Sequence, residues 1–169
     1  MNKLLRRVKD WHDKGFHLVS YLQSPFLLFV RLYWGWQLVE SGWGKLHHLA
    51  KVTEFFTSLN LPAPAFMALA ISCLEFFGGM LFALGLFSRL ISLVLTINLI
   101  MAYITADREA LLSIFSDPDK FYAAAPYTFL MATLIVLFFG AGKVSADTLL
   151  ARIFGTSPPK SADSLESRA

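Results

Sequence analysis

Residues 64–88 read PAFMALAISCLEFFGGMLFALGLFS, twenty-five residues in which Glu75 is the only charged side chain. A run of this length and polarity is long enough to cross the roughly 30 Å hydrocarbon core of a bilayer as a helix. Its one carboxylate falls near the middle, where an unpaired ion costs several kcal/mol. A helix kept only for its apolar surface has no use for such a group, so Glu75 is expected to turn inward to a polar partner.

Three further runs have the same character. Residues 21–44 are apolar apart from Arg31 and Glu40, and residues 90–106 and 121–142 carry no charge. The whole chain has 169 residues, 56% hydrophobic and 16% charged. Soluble domains carry about a quarter charged residues, so the balance favours lipid. A soluble helical core would show polar stripes at helical spacing, and these runs lack them. The expected fold is all-α and membrane-embedded: a four-transmembrane-helix bundle preceded by an N-terminal amphipathic interfacial helix. The division is 1–20 for the amphipathic segment, 21–154 for the four-helix domain and 155–169 for a disordered tail. Leu4, Val8, Trp11 and Leu18 on one side of the first segment oppose Arg6, Arg7, Lys9, Asp10, Asp13 and Lys14, and Gly15 interrupts it.

Orientation follows from the basic residues. Ten Lys and Arg fall on the side of the termini and the 85–89 loop, against four on the other. Both termini are therefore expected in the cytoplasm of a bacterial-type inner membrane. The net charge of +3 reads as attraction to anionic lipid; no nucleic-acid motif is present. Cys73 is the single cysteine, so thiol chemistry that shuttles through an internal cysteine pair is excluded. His47 and His48 are adjacent and point about 100° apart on a helix, which argues against a shared metal.

Within the first run, Arg31, Gly35, Leu38, Gly42 and Lys45 stay within about 40° of one helix line. Glu75, Gly79, Phe82, Leu86 and Arg89 do the same in the second, with Gly78 beside them. Gly35, Gly42, Gly78 and Gly79 are expected to let helices approach closely and shield the charge from lipid. Counting depth along the runs brings Arg31 within reach of Glu75, and Asn98 of the third run to a similar level. Arg31, Glu75 and Asn98 are thus expected to form an intramembrane polar cluster. The plainer alternative is an ion pair that only fixes helix register. Lys45, Arg89 and Lys143 mark the membrane edges. The outer stretch with Leu49, Val52, Phe55, Phe56 and Leu59 is amphipathic and suited either to lying on the outer leaflet or to capping the bundle, the commoner fate of such a segment.

These motifs carry a resemblance. Arg31-x3-Gly35 with Gly42-x-x-Lys45, Glu75-Phe-Phe-Gly78-Gly79 with Leu84-Gly-Leu-Phe-Ser-Arg89, and Gly140-Ala-Gly-Lys143-Val-Ser145-Ala-Asp147 resemble the helix signatures of the DoxX family of small membrane proteins. Ala141 and Lys143 depart from the family's usual Pro and Arg. Ser145 or Asp147 is suited to cap a short helix after the fourth span. The resemblance implies a link to redox or oxidative-stress chemistry, since the family is named for a small subunit associated with a thiosulfate:quinone oxidoreductase. No flavin, haem or iron–sulfur motif is present, so chemistry would need a partner or a diffusible quinone. The favoured function is an accessory or scaffold subunit without independent catalysis, docked on another membrane or membrane-associated protein. The alternative is a quinone-interacting small subunit of an oxidoreductase that uses the Arg31, Glu75 and Asn98 cluster. A permeation path would need an oligomer to enlarge the bundle.

Overall fold

In the computed structural model, backbone elements are described for residues 3–153 and side chains for residues 21–153. The expected face of residues 1–20 and the expected tail therefore lie outside the described side chains and residues. Every element described is helical: α1 (Lys3–His47), α2 (Leu49–Ser58), α3 (Pro64–Leu84), α4 (Ser88–Thr105), α5 (Arg108–Leu112), α6 (Pro118–Ala123), α7 (Pro126–Phe139) and α8 (Ala146–Ile153). α1 runs through Gly15 and Pro25 as one helix, although Pro25 leaves the Tyr21 carbonyl without its usual donor.

α3 and α4 are long and apolar enough to cross a membrane. Only 33% of each apolar window is buried within the protein, whereas the core helix of a water-soluble domain would be mostly covered. The uncovered remainder carries Phe66, Phe77 and Leu84 on α3, Leu90 and Ile97 on α4, and Phe138 and Phe139 on α7. The run at 121–142 is not one helix. Ala124 turns extended, ψ 139°, and Pro126, which has no N–H to continue the helical bond to the Tyr122 carbonyl, opens α7 at its first turn, so α6 and α7 are separate and α7 has 14 residues.

α1 packs along α3, α4 along α7, and α3–α4 and α1–α7 contacts close the ring. Val30 and Leu38 of α1, Phe82 of α3, Leu95 of α4 and Ala132 and Val136 of α7 meet in the core. At the far end Tyr103 stacks on Phe121, ring centroids 4.8 Å apart, and its hydroxyl donates to the Phe121 carbonyl at 2.8 Å.

Glycine sets the α1–α3 contact. A Cβ on Gly42 would overlap the backbone nitrogen of Phe76, and one on Gly79 would stand 2.9 Å from the Leu38 Cβ and 3.0 Å from the Gly35 carbonyl oxygen. Gly35 faces Ala83 in the same seam, while Gly78 faces Leu95 of α4. The two backbones touch, so α1 cannot slide along α3 without a clash. Gly42→Ala should lower stability by about 1–3 kcal/mol, whereas Gly44→Ala, with nothing within 4 Å, should be neutral or stabilising by up to about 1 kcal/mol. Unfolding in detergent checks the pair, and equal shifts would contradict the close crossing.

Candidate functional site

The α1–α3 register places Gly42 beside Glu75 and Phe76, and Gly35 beside Ala83. Continuing that antiparallel ladder puts Arg31 level with Gly85, ten residues or about 15 Å beyond Glu75. The expected trio is accordingly divided. Glu75 and Asn98 line one cavity, while Arg31 belongs to the opposite end of the bundle. The correction has a simple cause. Depth counted from the start of an apolar run assumes that the run begins at the membrane edge, but α1 extends well before it and the glycine seam alone fixes its height.

Arg31 is fully buried. Its Nη2 donates to the Val144 carbonyl, and the charge that offsets it is that of Asp147. A Cβ on Gly85 would overlap the guanidinium, so the α3–α4 turn passes this side chain only as glycine. Gly85 also has the left-handed φ of 68°. Its N–H bonds the Phe82 carbonyl, and that of Leu86 bonds the Leu81 carbonyl, ending α3 as glycine-terminated helices do.

Asp147 completes the latch. It does not cap α8; its carboxylate accepts from the backbone N–H of Phe87 at 2.7 Å, from that of Ser88 at 2.9 Å, and from the Ser88 hydroxyl. It thereby caps α4 from sixty residues away and holds Phe87 in a left-handed conformation, φ 49°, which costs a non-glycine residue about 1–2 kcal/mol. α8 is capped by Ser145, whose Oγ accepts the Thr148 N–H at 3.2 Å. Arg89 and Lys143 are exposed at this same end. Asp147→Ala should cost about 1–2 kcal/mol through the lost cap, read as a lower thermal midpoint; an unchanged midpoint would remove the latch from the account.

Glu75 is buried, 6% exposed, and finds its partners on α1. Lys45 Nζ lies 2.5 Å from Oε1, and the Ser41 hydroxyl donates to Oε2 at 2.9 Å. Ser41 and Lys45 are four residues apart and flank Gly42, so the glycine that brings the helices together also delivers both donors. Lys45, expected at the membrane edge, reaches inward to Glu75; its side chain is one-third exposed and its stem is long enough to bridge the two settings. Ser41 was not among the expected residues, although its place next to the packing glycine was a readable signal. Glu40 is exposed.

A cavity of about 630 Å³ opens beside this pair. α2 contributes Val52, Phe55 and Phe56; α3 contributes Met67, Ile71 and Leu74; α4 contributes Val94, Ile97, Asn98, Met101 and Ala102. α2 and α4 each pack on α3, with little joining them to each other, so the cavity is a slot over α3 between them. The α2 segment thus covers the end of the bundle. The walls are largely apolar, and the polar side chains are few: Lys45, Lys51, Glu75, Asn98 and Thr105. The Asn98 amide makes no hydrogen bond among the described residues, although it lines the slot. That composition, an apolar chamber with sparse oriented polar groups, is the usual form of a small-molecule site. No group of three His, Cys, Asp or Glu side chains suited to a metal occurs among the described residues.

Glu75→Leu alone should destabilise the protein by about 1–3 kcal/mol, since Lys45 and Ser41 lose their acceptor. Glu75→Leu with Lys45→Met should recover much of that loss. A double-mutant cycle in detergent checks this, and additive effects would deny the pairing.

Among family models, that of DoxX matches residues 26–108. The match includes the glycine seam, Arg31, the Lys45–Glu75 pair and Asn98, and stops before the Gly140–Asp147 stretch. No curated protein and no solved structure matches the chain.

Proposed function

Because this chain belongs to the DoxX family of membrane proteins and carries a chamber walled by apolar side chains, we propose that it is a small multi-pass membrane subunit that binds a quinone-class lipophile. The four spans are the second half of α1, α3, α4 and α7, with both termini in the cytoplasm, as the distribution of Lys and Arg favours. The slot between α2 and α4 then opens sideways into the outer leaflet, the side from which an isoprenoid-tailed molecule would arrive.

The observation that carries this reading is the pairing of volume with polarity. About 630 Å³ holds a substituted ring and part of its tail, within the range of small-molecule sites. Lys45 and the Asn98 amide, which has no partner among the described residues, can donate to ring oxygens while Ile71, Leu74 and Ile97 contact the apolar body. When bound, such a ring supplies two-electron redox chemistry. This chain's residues position it, exclude water and offer Glu75 as a proton-accepting group near its oxygens. Electrons would come from a partner protein, which makes the chain an accessory component and not an independent enzyme.

Mass spectrometry of protein extracted in mild detergent should find a quinone in near-stoichiometric amount. Ala102→Trp, which fills the slot from α4, should lower its recovery at least tenfold while the protein remains folded. Recovery of phospholipid only, or equal quinone in the filled variant, would remove the reading.

A further inference from the structure

The hydrogen-bonding inventory of the slot is specific about which form of the ring it prefers. Each carboxylate oxygen can accept about two hydrogen bonds. Oε1 of Glu75 takes one from Lys45 and Oε2 takes one from Ser41, so each oxygen retains accepting capacity beside the slot. Lys45 has committed one of three protons, and Asn98 has both an unused carbonyl and an unused amino group among the described residues. The chamber therefore presents free acceptors as well as free donors.

A quinone ring bears carbonyl oxygens that only accept. Lys45 and Asn98 can meet them, but the spare lone pairs of the Lys45-paired Glu75 carboxylate are then covered by a molecule that has no proton to offer. Covering a charged acceptor without a donor carries a desolvation penalty. A hydroquinone differs by two O–H groups. Each can donate to Glu75 or to the Asn98 carbonyl and still accept from Lys45 or the Asn98 amino group.

We infer that this slot selects the reduced, hydroxyl-bearing form of its ring-headed ligand, with Glu75 as the acceptor that discriminates it from the oxidised form. The inference rests on the quinone-class reading above and concerns binding alone; no electron or proton changes owner in it. Lys45 and Ser41 are positioning residues for this purpose, since they hold the carboxylate fixed against α1.

The test uses the full chain in lipid nanodiscs and three probes of one shape: a decyl-tailed 1,4-benzoquinone, the corresponding hydroquinone kept anaerobic, and the dimethyl ether of that hydroquinone. The ether keeps the ring and oxygens but has no O–H. Calorimetry should give a dissociation constant for the hydroquinone roughly tenfold below those of the other two, the factor that one hydrogen bond to a charged acceptor supplies. In Glu75→Gln the three constants should fall within about twofold, because an amide both donates and accepts. Should that variant fail to fold, the hydroquinone-to-ether ratio in the unaltered protein decides the matter by itself. A ratio near one, with clear binding, overturns the preference and leaves the quinone-class reading in place. Binding of none of the three removes both.

Discussion

The contact between the α1 and α3 backbones at Gly42 and Gly79 is the constraint from which the rest of the arrangement follows. In hydrocarbon there is little hydrophobic force to press helices together, and close van der Waals approach takes its place. Once glycine permits that approach, the register is fixed to within a residue, since a side chain at either position would meet backbone. Every polar contact between the two helices is then determined. Ser41 and Lys45 arrive at Glu75, and Arg31 arrives at Gly85.

The two charged groups of α1 thus serve opposite ends. Arg31, fully enclosed, ties the α3–α4 turn to the segment after α7 through the Val144 carbonyl, and Asp147 closes the same knot by capping α4. Those bonds join parts of the chain more than a hundred and about sixty residues apart. Lys45 and Glu75 instead border a chamber. The pairing stabilises a mid-span acid while leaving part of both groups turned to an apolar slot, and Asn98 adds an amide with no partner among the described residues. One end of the bundle is locked, and the other presents chemistry.

Much of the architecture was legible in the residues. The apolar runs located α3 and α4, and the glycine lines of the first two runs identified the faces that meet. The lone Glu75 in an apolar run correctly announced an inward-facing acid. What failed was the identity of its partner. Arg31 and Lys45 lie on the same helix line, so helical periodicity cannot choose between them; only the height of α1 against α3 can. The single run expected over residues 121–142 was likewise divided, because composition registers Pro126 as one more uncharged residue, whereas the backbone turns extended at Ala124 and starts a new helix with that proline in its first turn.

By itself, then, the amino-acid order determined what each segment is: apolar, helical, glycine-lined on particular faces, and provided with a small number of ions. Those properties are local, written in composition and in the 3.6-residue period. Tertiary structure alone decided which ion meets which, that Asp147 caps a helix sixty residues earlier, and that α2, α3 and α4 leave a slot between them. Such pairings depend on the relative displacement of whole helices, a quantity set by steric contact between backbones and absent from any single segment.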